Sequence, residues 1–181
     1  MNKGTLADVF ETNDRVRARL IRVVSGLSER EAGLLTEKGD WTVAAIVEHL
    51  AKVEESMTRV SLKLVKKAEE KGLMSDGNAN ISGSFLSALT KEVEKKFEAP
   101  EIVRPEGKQS IAASLELMKK NRERLNASQE IFFTYYGHEL TFPHPAFGEM
   151  TAHDWLALIG GHESRHIDQI ERILIDGKRN K

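Results

Sequence analysis

Proline, which ends α-helices, occurs at only four positions in this chain of 181 residues. The four prolines lie in two short stretches, one containing Pro100 and Pro105 and the other containing Pro143 and Pro145. The remaining sequence is free of proline over lengths that allow long helices. This distribution therefore predicts a mostly helical chain that is interrupted at two places.

Apolar residues at helical spacing, together with capping residues at their starts, predict four long helices. Their approximate bounds are 6–27, 42–71 (with Asp40 as an alternative start), 110–136 and 151–177. Short helices are predicted after Ser28 and over 84–98, and loops over 73–82 and 137–150. We expect an all-α fold in which residues 1–181 form a single domain, a four-helix bundle with long crossover connections and short extra helices.

Composition narrows the classes of function. Lys and Arg number 27 and Asp and Glu number 28, so the net charge of -1 gives no general attraction to nucleic acid or anionic membrane. The absence of cysteine excludes disulfides, thiolate nucleophiles and Cys-based zinc sites. No stretch approaches the ~20 apolar residues of a membrane helix, and the first residues do not resemble a signal peptide. We expect a cytoplasmic protein that binds neither nucleic acid nor membrane.

Three histidines are expected to point into the bundle. His162 and His166 lie four residues apart and share the apolar face of the last helix, at about 100° per residue. His49 lies on the apolar stripe of the second long helix. Together these side chains predict a divalent-metal site formed by His49, His162 and His166. Histidines with a purely structural, hydrogen-bonded role in the core are the alternative.

The other three histidines are weaker candidates. His153 lies about 180° from His162 around the last helix, so we expect it to face solvent. His138 and His144 belong to the loop that precedes this helix. Loop histidines are usually solvated, and lining of the pocket is the less favoured reading for either one.

The segment His162-Glu163-Ser164-Arg165-His166 also matches the His-Glu-x-x-His pattern of zinc proteases, in which the glutamate is the general base. Such a site needs a third ligand on a separate downstream helix. Only 15 residues follow His166, and Glu171 lies on the same helix. The sequence therefore disfavours a protease.

Side chains beside the three histidines are candidates for supporting roles. Glu163 is a candidate for contact with the metal ligands, but a solvated position on the helix flank is at least as well supported. Gln169 and Arg165 flank the histidine face and are candidates for orienting a bound ligand. For Arg165 we favour packing on the helix surface.

Three segments together resemble a known family. They are Trp41-Thr42-Val43-Ala44-Ala45-Ile46-Val47-Glu48-His49-Leu50, then His144-Pro145-Ala146-Phe147-Gly148-Glu149-Met150-Thr151 followed by Trp155, and finally His162-Glu163-Ser164-Arg165-His166-Ile167-Asp168-Gln169-Ile170. In this order they are similar to segments of the DinB-like superfamily of helical-bundle metalloproteins, which includes the YfiT-type proteins. The resemblance covers most of the chain.

The resemblance implies a four-helix bundle, often a homodimer, that binds nickel or zinc. The metal triad of the family maps onto His49, His162 and His166. Characterised members include thiol-dependent S-transferases and a mycothiol-dependent isomerase, others are described as metal-dependent hydrolases, and many have no known activity. Fold alone does not identify the reaction.

Three neutral imidazoles leave at least one coordination position open, which is typical of catalytic rather than structural zinc sites. A water in that position would favour hydrolysis, and a thiol would favour group transfer. Because the chain has no cysteine, the thiol would be a low-molecular-weight cofactor. We expect a metal-dependent hydrolase or thiol S-transferase with a small-molecule substrate. The alternative is a non-catalytic metal-binding or stress-response protein.

Overall fold

The computed structural model describes residues 4–36, 41–92 and 98–179. Its helices are α1 (Leu6–Val24), α2 (Glu29–Ala32), α3 (Val43–Glu70), α4 (Gly83–Glu92), α5 (Ile111–Asn126), α6 (Gln129–Thr134) and α7 (Ala152–Arg179). A 3₁₀ turn spans Glu101–Val103, and two short strands are β1 (Phe142–His144) and β2 (Gly148–Met150). None of the described helices combines the length and apolar character needed to cross a lipid bilayer.

Side-chain caps explain where several helices begin. The hydroxyl of Thr42 accepts a hydrogen bond from the Ala45 N–H at the start of α3. Ser28 and Glu31 form a reciprocal capping box for α2. Thr151 accepts from the Asp154 N–H, while the Asp154 carboxylate accepts from the Thr151 N–H, at the start of α7. These starts agree with the predictions made from the sequence.

The predicted helix over 110–136 was wrong in one respect, because it consists of two helices. Helix α5 ends at Asn126, and α6 begins at Gln129. The Ser128 hydroxyl donates to the Arg124 carbonyl at the break. Phe132 on α6 is fully buried, and its ring packs edge-on against Phe10 at 5.9 Å between centroids.

The segment between α6 and α7, predicted as a loop, contains an antiparallel hairpin. Phe142 pairs with Met150, and His144 pairs with Gly148. The φ angle of Gly148 is +70°, a conformation that favours glycine. Residues 84–92 of the predicted 84–98 helix are helical and Glu98 is not, whereas 93–97 lie outside the described residues, as does the alternative start at Asp40.

The long helices form the predicted four-helix bundle. Helix α3 packs against α7 and α5, and α1 packs against α7. Gly160 allows α1 and α7 to approach closely, because a Cβ at this position would overlap the Asn13 side chain. Asn13 donates a hydrogen bond across this contact to the Leu156 carbonyl at 3.0 Å.

Two apolar clusters occupy the bundle. One includes Phe10, Leu125 and Leu156, and the other includes Leu20 and Ile170. On each long helix, polar and charged side chains are buried between residues of the two clusters. The candidate site adjoins the second cluster, since His49 lies between Val47 and Leu50 on α3 and His166 precedes Ile167 on α7.

Candidate metal centre

The three histidines that were predicted to share a site lie together. Helix α3 contributes His49, and α7 contributes His162 and His166. Their ring centroids are 5.3 Å apart for His49 and His162, 5.1 Å for His49 and His166, and 4.6 Å for His162 and His166. One ring nitrogen from each lies within 4.8 Å of the others, and among the described residues these side chains form a group that could hold one ion.

Two of the three rings are held by hydrogen bonds on the side that faces away from the cluster. His49 is 3% exposed, and its Nδ1–H donates to the Val103 carbonyl oxygen at 2.8 Å. His166 Nδ1 is 2.8 Å from Gln169 Oε1, so this nitrogen is also the donor. A proton on Nδ1 leaves Nε2 with a lone pair. Metal-ligating histidines are commonly oriented in this way.

The spacing of the nitrogens suits a tetrahedral ion. His49 Nε2 and His162 Nε2 are 3.2 Å apart. Two nitrogens bound to zinc at ~2.0–2.1 Å with tetrahedral angles would be about 3.3 Å apart. Because no carboxylate of the described residues joins the group, the donor set consists of neutral nitrogen ligands. Such a set fits a divalent transition metal.

The three imidazoles favour the neutral form, which is the form that binds metal. Burial, with a smaller contribution from the neighbouring His49, lowers the pKa of His166 to about 4. Burial and the other histidines lower the pKa of His162 well below its ordinary value. The pKa of His49 is also lowered, mainly by burial.

Aromatic side chains line the approach to the cluster. The Trp41 ring lies 4.9 Å from the His49 ring. His144 stacks on Phe147 at 4.8 Å and contacts Trp155 at 5.3 Å. Trp155 shares the inward face of α7 with His162 and precedes it by two turns of the helix. The hairpin therefore places His144 against the face of α7 that carries two of the histidines.

His138, the other loop histidine, is not part of the histidine cluster. His138 has 86% of its side chain exposed and pairs with Glu139 away from the cluster. Val103 was not predicted from the sequence as a residue of the site, because it contributes a backbone carbonyl that accepts the His49 hydrogen bond. A carbonyl contact of this kind has no sequence signature.

The interpretation of Glu163 as a solvated flank residue was wrong. Glu163 is only 3% exposed and faces α1. Arg17 Nε donates to one carboxylate oxygen at 2.8 Å, and Arg17 Nη2 donates to the other at 3.0 Å. Burial raises the pKa of Glu163, and the hydrogen bonds and charge of Arg17 oppose that rise. Both oxygens are engaged, which does not suit the role of a zinc-protease base.

Glu163 belongs to a buried charge network, which we define as Arg17, Glu54, Arg122 and Glu163. Arg17 Nη2 donates to Glu54 at 2.8 Å, and Arg122 donates to the other Glu54 oxygen at 3.1 Å. Arg122 also reaches Asp14, which is partly exposed, at 2.6 Å. Two guanidinium groups balance two carboxylates, and each of the four long helices contributes one of them. The network thereby holds α7, and with it His162, against α1, α3 and α5.

The periodicity of α1 contained a signal for this network. The buried stripe of α1 consists of Leu6, Phe10, Asn13, Arg17, Leu20 and Val24. A charged residue on an otherwise inward stripe needs a buried partner. That rule points to Arg17, although it does not identify Glu163 or Glu54 as the partners.

The prediction that His153 faces solvent was also wrong, because this side chain is fully buried. Its Nδ1 accepts a hydrogen bond from the Asn80 N–H at 3.2 Å, and its ring stacks on Tyr136 at 4.3 Å. Burial lowers its pKa to about 4. The segment before α4 covers the side of α7 opposite the histidine cluster. Arg165, as favoured from the sequence, is exposed, whereas Gln169 contacts His166.

The fold and the histidine cluster define this protein as a four-helix bundle with a candidate three-histidine metal centre. The family model of the DinB superfamily matches residues 12–170. The chain therefore belongs to the DinB superfamily, which confirms the resemblance inferred from the sequence.

Two comparisons agree with this assignment. The chain is similar to the uncharacterized protein YuaE of Bacillus subtilis (strain 168), with 27% identity over 159 residues, which cover 83% of this chain and 87% of YuaE. It is also similar in structure to TT2238, described as a four-helix bundle protein, with a TM-score of 0.62 and 21% identity. That match covers 93% of this chain and 99% of TT2238, and it supports the fold.

Proposed function

We propose that this protein is a metal-dependent enzyme that binds a divalent transition metal, Zn²⁺ or Ni²⁺, through His49, His162 and His166. The observation that carries the proposal is the convergence of three imidazoles that favour the neutral form, two of them oriented by Nδ1 hydrogen bonds. Such an arrangement costs stability unless the nitrogens have a common partner. A protein donor set of three leaves a position for a small molecule.

The proposed reaction is hydrolysis or thiol S-transfer on a small-molecule substrate. A metal ion in this donor set lowers the pKa of a water or thiol that it binds. The side chains of the chain supply the remaining conditions. Val103 and Gln169 orient two of the histidines, and the Trp41 ring packs against His49. Glu163 holds the helix in place rather than accepting a proton, since Arg17 engages both of its oxygens.

The absence of cysteine shapes the transferase alternative. Because the chain has no thiol of its own, S-transfer requires a low-molecular-weight thiol as co-substrate. Hydrolysis requires none. Turnover measured with and without added thiols therefore separates the two reactions.

Metal analysis of the purified full chain tests the proposal. His49→Ala, His162→Ala and His166→Ala should each lower metal occupancy at least tenfold, because each removes one of three ligands. The control is His138→Ala, whose ring is solvent-exposed and should leave occupancy unchanged. Equal occupancy in all four variants would refute the metal site. Metal binding without turnover in a broad hydrolase and thiol-transferase screen would instead favour a non-catalytic metal-binding protein.

A further inference from the structure

His144 occupies a defined position beside the histidine cluster. It is the last residue of β1, and its ring is held between Phe147 and Trp155. Trp155 lies two turns before His162 on the same face of α7. The hairpin thus brings His144 against Trp155, on the face of α7 that also carries His162.

The hydrogen bond on one side of the His144 ring determines its tautomer. His144 Nδ1 lies 3.0 Å from the Ala146 backbone nitrogen, which can only donate, so Nδ1 is the acceptor. The ring proton of the neutral imidazole is then on Nε2. Burial lowers the pKa of His144 and so favours this neutral form. Among the described residues, none accepts a hydrogen bond from Nε2.

A fixed donor beside a metal-ligand cluster has a recognisable use. Nε2 points away from the hairpin backbone that engages Nδ1, and the contact with Trp155 holds the His144 ring on the face of α7 that carries His162. An N–H aimed at a reacting oxygen stabilises negative charge on that oxygen. Because aromatic side chains surround this N–H donor, the site also favours ligands in which an oxygen atom is next to an apolar group.

We propose that His144 is a substrate-binding residue whose Nε2–H donates a hydrogen bond to an oxygen atom of the small molecule held at the histidine cluster. The substrate class is therefore one with a carbonyl, carboxylate or related oxygen next to the atom that faces the metal. This inference rests on the proposed metal site, and it adds a fourth histidine that contacts the ligand rather than the metal.

Two variants with opposite losses test the proposal. His144→Phe keeps an aromatic ring against Phe147 and Trp155 but removes the donor. His144→Gln removes the ring but keeps an N–H donor. If His144 acts as a hydrogen-bond donor, His144→Phe is the more damaging change for an oxygen ligand. If it only packs, His144→Gln is the more damaging one.

The probes are acetohydroxamate, which presents oxygen atoms, and pyridine, which coordinates through nitrogen and has no remaining acceptor. Each is titrated into the Co²⁺-loaded full chain and followed by visible absorption, at equal metal content. We expect His144→Phe to weaken acetohydroxamate binding about tenfold, as for loss of one hydrogen bond to a charged acceptor. His144→Gln should weaken it less, and pyridine binding should change less than twofold in both variants.

Each other outcome has a distinct meaning. Unchanged acetohydroxamate binding in His144→Phe, a larger loss in His144→Gln, or no acetohydroxamate binding by the Co²⁺-loaded wild-type protein would overturn the role of His144 and leave the metal site intact. Failure of the wild-type chain to bind Co²⁺ would refute the proposed function itself, and the role of His144 with it.

Discussion

Replacing Glu163 with Gln tests the claim that this residue anchors the bundle rather than serving as a base. The substitution preserves shape but removes one negative charge from the buried charge network. Arg17 keeps Glu54 at 2.8 Å and the Met118 carbonyl at 3.2 Å. Arg17 loses its two hydrogen bonds to the Glu163 carboxylate. The amide N–H₂ of the new Gln would face the guanidinium group, and because both groups are donors they cannot form a hydrogen bond. Arg17 would then be a buried cation with half of its compensation.

The expected cost follows from these contacts. Breaking a buried ion pair by removing one partner typically costs about 3–5 kcal/mol. Glu54 remains, and Asp14 still neutralises part of Arg122, so we place Glu163→Gln near the lower end, at about 3 kcal/mol of unfolding free energy. Urea unfolding followed by circular dichroism measures this value.

A matched control carries the same chemical change on the surface. Glu11 pairs with Arg15 at 3.4 Å, and both side chains are more than two-thirds exposed. Glu11→Gln should therefore change stability by less than about 0.5 kcal/mol. If Glu163→Gln were equally mild, the anchoring role would be refuted.

The same variant separates the anchoring role from general-base catalysis. With metal content held equal and below its unfolding transition, Glu163→Gln should retain bound metal and lose less than about tenfold in turnover. Loss of a general base typically costs 10²–10⁴. A loss beyond about a hundredfold in a folded, metal-loaded variant would contradict our assignment.

Three further predictions concern packing, pH and assembly. Gly160→Ala should destabilise the protein by about 1–3 kcal/mol, because the new Cβ would overlap the Asn13 side chain. The control is the neighbouring Gly161→Ala, which has open space around it and should be neutral or stabilising by up to about 1 kcal/mol. Urea unfolding of both variants measures the difference. Burial lowers the pKa of His153 from 6.5 to about 4 in the folded state, so the unfolded chain binds a proton more readily than the folded one. The contribution of neutral His153 to stability is therefore complete above pH 6.5 and is lost as the pH falls towards 4. From pH 7.5 to 5 this amounts to roughly 2 kcal/mol, and His153→Phe should lose less stability than wild type over that interval; parallel slopes would contradict it. Finally, the family resemblance predicts a homodimer, and light scattering should give twice the 20.3 kDa chain mass rather than the monomer value.

Much of the fold is determined locally and was therefore accessible from the sequence. Helix starts depend on capping side chains within three residues, as at Thr42 and Ser28. Which face of a long helix is buried follows from the spacing of apolar residues. That spacing was sufficient to select His49, His162 and His166 as a group, because two inward faces in one small bundle meet in its core.

Tertiary structure determined the burial of several side chains for which the helical spacing of apolar residues gave the wrong prediction. A prediction from helical spacing assumes that one face of a helix is buried and the opposite face is exposed to solvent. The first turns of α7 are instead buried on all sides by other segments of the chain, so His153 is buried on the face opposite the cluster. Glu163, on the flank of α7, is buried because Arg17, 146 positions earlier in the chain, lies against it. His144 comes to the face of α7 that carries His162 only because a hairpin places it against Trp155. Contacts between distant segments depend on how the elements pack, and a local sequence pattern does not encode that packing.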